Sequence, residues 1–184
     1  MVEAVIRRPA ATDLTVVTAA ACLVGSELIH TVVLPEHLRE WWAAGVFFAV
    51  VSVLEGGLAA AVLFAPSRRV WQAALTLSLA TVAVWAWSRT AGLPFGPDPW
   101  TPEAVGSADV AASVLELVTA AAAVALLRRP AGASGPPAGW QSSRIATIEV
   151  LAVVALATAF GLQGARAHVH HHGHTPPAPI NVPR

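Results

Sequence analysis

Five apolar runs, each close to the length of a bilayer-crossing helix, dictate the architecture: Leu14–Leu34, Trp42–Ala65, Val70–Ser88, Gly106–Leu127 and Ile145–Leu162. A hydrocarbon core of roughly 30 Å is crossed by about 20 apolar residues in a helix. The runs show no two-residue alternation and are too long for barrel strands, so satisfying their backbone in lipid demands helices. Composition agrees where it matters. Of 184 residues, 55% are apolar and 12% charged, and 11 arginines balance 11 acids. Such a chain is neither disordered nor a nucleic-acid binder with a basic surface. A single Cys excludes an intrachain disulfide framework. The expected fold is all-α: an integral membrane four-helix bundle over 1–129, a Pro/Gly linker over 130–144, a fifth transmembrane helix over 145–165 and a His-rich tail over 166–184.

Arginine placement gives an expected orientation. Arg7, Arg8, Arg68, Arg69, Arg128, Arg129 and Arg144 all fall on one side of a five-span chain. The positive-inside rule puts that side and the N-terminus in the cytoplasm of a bacterial plasma membrane, and the C-terminus outside. Trp41, Trp42, Trp71, Trp85, Trp87, Trp100 and Trp140 fall at span ends or in loops, as an interfacial belt predicts. Arg7-Arg8 and Ala19-Ala20-Ala21-Cys22 bear a faint likeness to a lipoprotein signal. The apolar run continues to Leu34, too long for a signal core, so the span is expected to remain and Cys22 to be a packing residue. Glu149, near Arg144, reads as interfacial.

The chemistry lies in acids placed within apolar runs. An acid at bilayer depth costs roughly 2.5–3.5 kcal/mol. Glu27, Glu55, Asp109 and Glu116 are therefore expected to face the bundle interior. Glu27 and His30 are three apart on one helix face, and Asp109, Ser113 and Glu116 form a polar stripe at i, i+4, i+7. Glu55 precedes Gly56-Gly57, which permits close helix approach. Ser52-Val53-Leu54-Glu55 recurs as Ser113-Val114-Leu115-Glu116, consistent with a parallel repeat of two hairpins or with chance in an Ala/Val/Leu-rich chain. Counted from the span ends, His30 and Asp109 lie ~5 Å deep, Glu27 ~10 Å, and Glu55 and Glu116 ~15–20 Å. This is a graded polar file entering from outside and stopping near the middle.

Three readings of the file stay open. It is a divalent-metal site: Glu27-x-x-His30 resembles the Glu-x-x-His pair of carboxylate-bridged bundles, with Glu55 and Glu116 as carboxylates from other helices and Asp109 standing in for a missing second pair. Zn, Ni, Co, Mn or Fe suits that ligand set, and the lack of interior Met argues against Cu(I). It is a proton-accepting half-channel of a larger complex, where facing carboxylates share a proton. Or the acids are paired, Glu27 with His30 and Asp109 with Arg89, and simply tie helices together.

Pro35-Glu36-His37-Leu38-Arg39-Glu40 reads as a short interfacial helix started by Pro35, with His37 at the surface or beside His30. Arg89–Val105, with its Gly/Pro turns, reads as an ordered cap in which Phe95 and Trp100 meet the membrane surface and Arg89 reaches an acid. His168, His170, His171, His172 and His174 form a tract expected to collect Zn, Ni or Cu(II). No haem or nucleotide is expected: His30 has no second axial His at its depth, and no phosphate loop is present.

Glu27…His30, Pro35-Glu36-His37, Trp41-Trp42 and Ser88-Arg89…Gly92-Leu93-Pro94-Phe95-Gly96-Pro97 resemble uncharacterised small multi-pass membrane proteins of high-GC bacteria. The resemblance covers the first four spans and implies membrane location without an activity. The expected function is an outward-open intramembrane Glu/Asp/His site that binds or transfers a divalent metal. The alternative is a non-catalytic, proton-linked subunit or assembly factor of a larger membrane complex. Lipid, a membrane-protein partner or a second copy are the expected partners, and only the carboxylate cluster argues for an enzyme.

Overall fold

The computed structural model describes residues 13–129 and 144–171, with side chains in the second segment described for 145–165. Arg7, Arg8, Trp140, His172, His174 and all but the last residue of the 130–144 linker lie outside the described residues. The described residues form five helices: α1 (Leu14–Glu40), α2 (Trp42–Phe64), α3 (Arg68–Thr90), α4 (Ser107–Leu127) and α5 (Arg144–His171). All five are long and apolar enough to cross a membrane.

The first four close into a ring. α1 packs along α2, α3 along α4, and α1 along α4, while α2 and α3 touch sparsely. α5 lies outside the ring against α1 and α4 and presents most of its surface outward. Glu149 is on that exposed surface. Small residues set the spacing. A Cβ on Gly45 would sit 2.8 Å from the Leu38 backbone, so only glycine allows α2 to start this close to the end of α1.

The two ends of the ring differ. One carries the α1–α2 turn at Trp41 and the 91–106 loop, and is called the cap end here. The other is the arginine end. There Asp13 caps α1 by accepting from the Thr15 N–H at 3.0 Å, and pairs with Arg129. Ser67 caps α3, and Arg68 donates to the Leu127 carbonyl at 3.2 Å. Burial alone would push the Asp13 carboxyl up, but the Arg129 guanidinium and the Thr15 N–H favour its charged form and hold it below the ordinary value of 3.8. Beneath this end Ala19, Leu23, Ala59, Val62, Trp71 and Ala123 make a closed apolar cluster.

Two expectations are corrected. Pro35 does not start a separate helix, since α1 runs through it to Glu40. A proline deletes one helical N–H and crowds the preceding turn. Here the next turn is held by side chains: His37 donates to the Val33 carbonyl at 3.0 Å and Arg39 to the Pro35 carbonyl at 3.0 Å, while α2 packs alongside. The tryptophans do not all form an outward belt either. Trp42, Trp87 and Trp100 are exposed, but Trp71 is 7% exposed in the apolar cluster and Trp85 turns its indole N–H inward. Position along a span fixes depth, whereas facing direction is set by rotation of the helix.

Candidate functional site

Helix periodicity places Cys22, Ser26, Ile29 and His30 on one buried face of α1. Ser52, Glu55, Ala59 and Val62 do the same on α2, and Ala112, Ser113, Glu116 and Thr119 on α4. Where these faces meet, His30, Glu55 and Glu116 come together, each 5% exposed or less. One ligand atom from each lies within 4.8 Å of the others. His30 Nδ1 donates to Glu55 Oε2 at 2.9 Å, and Ser26 Oγ donates to Glu116 Oε1 at 3.5 Å. Glu55 Oε1 and Glu116 Oε2 are buried with no hydrogen-bond partner among the described residues. The hydroxyls of Ser52 and Ser78 are likewise buried and unpaired.

The three residues share one depth. His30 is ten residues from the end of α1, Glu55 thirteen from the start of α2 and Glu116 nine from the start of α4. At 1.5 Å per residue these are roughly 14–20 Å from the cap end. His30 therefore sits level with Glu55 and Glu116 and not nearer the cap end, where counting from a span end at Leu34 puts it. The graded file is replaced by two tiers.

The outer tier belongs to Arg89. Its Nη1 pairs with Glu103 and its Nη2 donates to Asp109 Oδ2 at 2.9 Å. Asp109 also accepts from the Gly106 N–H at 2.8 Å, which fixes the start of α4. Asp109 is thus a helix-end and ion-pair residue and does not join the cluster. The expected pairing of Arg89 with an acid is present; that of Glu27 with His30 is not. Glu27 is half-buried beside Gly56 and accepts from Thr31 at 3.2 Å. A three-residue step leaves side chains about 60° apart around a helix, and here that offset separates the two.

Between the tiers lies a cavity of about 870 Å³. His30, Ser113 and Glu116 line its inner part, and Phe48, Trp85 and Arg89 stand in its wall. Glu55, bonded to His30, is not among the residues that line it. His37 also lines the cavity, separated from His30 by Phe48, whose ring centroid lies 4.3 Å from His37 and 5.4 Å from His30. The 91–106 loop roofs the space. Gly92 (φ +71°) makes the turn, the Trp100 backbone N–H donates to the Leu93 carbonyl at 2.8 Å, and Phe95 packs on Trp41. A Cβ on Gly92 would sit 2.7 Å from the Thr101 carbonyl carbon, so both its φ and its space require glycine.

No family model, curated protein or solved structure matches the chain. The chemistry has to be read from the residues themselves. Sequence reading overlooked Ser26, although it lies four residues before His30 and so shares its face. It also overlooked Ser78 on α3, where no ionisable neighbour marks it, and read Trp85 only as part of an interfacial belt. α5 extends through His168, His170 and His171 as helix, and among the described residues no α5 side chain belongs to the cluster.

Proposed function

We propose that this chain is a five-span protein of the bacterial plasma membrane whose bundle binds a divalent metal ion at His30, Glu55 and Glu116 and passes it on. The observation that carries the reading is the convergence of three buried ligand atoms, from three helices, within 4.8 Å. Energetics point the same way. Two acids at mid-membrane depth cost roughly 5–7 kcal/mol, whereas an interhelical hydrogen bond in a membrane returns only about 0.6 kcal/mol. The two hydrogen bonds of the cluster fall well short of that cost, so the acids serve a cation or a proton. One imidazole and two carboxylates suit Zn, Mn, Fe, Co or Ni and neutralise a divalent charge. Cu(I) is disfavoured because interior Met is absent and Cys22 packs against Ile29 and Leu115, away from the cluster.

The arginine end faces the cytoplasm in this reading, by the positive-inside rule, and the cavity opens outward. The tail with His168, His170, His171, His172 and His174 is then outside, where it collects metal, including Cu(II), for the bundle. The apolar cluster around Leu23, Val62 and Trp71 closes the inner half of the ring. Onward transfer therefore needs a rearrangement, a second copy or a membrane-protein partner. A second reading, a proton-linked subunit or assembly factor of a larger complex, is favoured by the unpaired Glu55 and Glu116 oxygens, which can hold one shared proton.

The test uses full-length protein with the five tail histidines replaced by Asn. Metal analysis after purification in zinc-containing buffer is expected to find about one ion per chain, lost in Glu116→Gln and in His30→Gln. No retention with His30, Glu55 and Glu116 intact would refute the metal reading and favour the proton one. Labelling of a Thr175→Cys variant from outside intact cells checks orientation, with protection overturning it.

A further inference from the structure

The cavity is too large for the ion assigned to it. A divalent ion with six waters occupies about 180 Å³, taking roughly 30 Å³ per water. The space is about 870 Å³, within the range of sites for small organic molecules. Its wall carries the rings of Phe47, Phe48 and Trp85, which offer additional water few hydrogen-bond partners.

Polar groups without partners mark both parts of the space. In the inner part Glu116 Oε2 lacks a donor. In the wall nearer the cap end the Trp85 Nε1–H and the Arg89 Nε–H are buried with no acceptor among the described residues. Each Nη group of Arg89 gives a hydrogen bond to Glu103 or Asp109, whereas its Nε–H gives none. Buried N–H groups in an apolar surrounding call for an acceptor. A bare metal at the cluster supplies none. A carboxylate on a molecule bound to that metal supplies one, and a guanidinium and an indole N–H are suitable donors to it.

We infer that the cavity takes the divalent metal as its complex with a small carboxylate-bearing chelator, the metal at His30, Glu55 and Glu116 and a chelator carboxylate at Arg89 and Trp85. This rests on reading His30, Glu55 and Glu116 as metal ligands. The chelator leaves coordination positions for the protein, and its free carboxylate occupies the orphaned donors. No bond is made or broken other than metal–ligand exchange.

The experiment is equilibrium dialysis of full-length protein, tail histidines replaced by Asn, against radiolabelled citrate or histidine, without zinc and at one buffered level of free Zn²⁺. Metal-dependent retention of at least one chelator, at about one per chain, is expected. Trp85→Phe, which keeps the ring and removes the N–H, is expected to lower the chelator-to-zinc ratio about tenfold. Zinc bound with neither chelator retained would overturn the inference and leave the metal site standing, as would chelator retention independent of zinc. No zinc bound with or without chelator would overturn the metal reading itself.

Discussion

Arg89 with its two acids and His30 with its two acids adjoin the same cavity, yet they are built on opposite principles. At the cap end one permanent cation meets Glu103 and Asp109, and the Asp109 carboxylate is further held by the Gly106 N–H. Glu103 is 56% exposed at its side chain, so water shares the work. Deeper in, two carboxylates meet an imidazole, all nearly inaccessible, with one oxygen of each acid unpaired. In the outer set each acid is paired with Arg89, and the set ties the cap loop and α4 to the end of α3. The inner set is short of positive charge. Acids in a low-polarity interior are retained against their cost where they serve a ligand, whereas acids at an edge repay theirs locally.

That contrast predicts opposite responses to matched substitutions. The largest effect is on metal retention. Glu116→Gln should weaken it by about 100-fold or more, while Asp109→Asn should change it less than about threefold. Equal losses in a zinc-binding titration would mean that the two tiers act as one site. Stability should reverse the order. Arg89→Gln takes the cation from the partly buried Asp109 and should cost about 2 kcal/mol, seen as a lower thermal midpoint in detergent. Metal-free Glu116→Gln should be as stable as the parent or more stable by about 1 kcal/mol, because an unpaired buried acid is relieved. A marked loss of stability there would show that Glu116 is a structural tie.

The smallest effect sharpens the comparison from the other end of the ring. Asp13 and Arg129 form an edge pair like Arg89 and Asp109, and the pairing favours the charged carboxylate. Because the folded pKa is depressed, its contribution is present above the unfolded value of 3.8 and is lost as pH falls through the folded one. Asp13→Asn should lower the midpoint near neutral pH by no more than about 3 °C, a difference that shrinks as pH falls below about 4 and is gone below the depressed folded pKa. A difference that persisted in acid would assign the role of Asp13 to its cap on α1.

Span number, the Arg89 pairing and the presence of acids within the spans follow from the sequence, because hydropathy and position along a chain are local, additive properties. Which acids meet is not local. Glu27 and His30 are neighbours on one helix, but the small rotation between them puts His30 in the ring and Glu27 beside Gly56. Glu55 and Glu116 belong to helices that do not touch through their backbones, and only the closing of the ring through α1 brings their side chains together. Whether α1 survives Pro35 is likewise a contest between one lost hydrogen bond and packing against α2 that no local rule decides. The sequence determined that charges would be buried in lipid-spanning helices. The rotation and closure of those helices, set by how small residues such as Gly45 let backbones approach, decided which three would share a site.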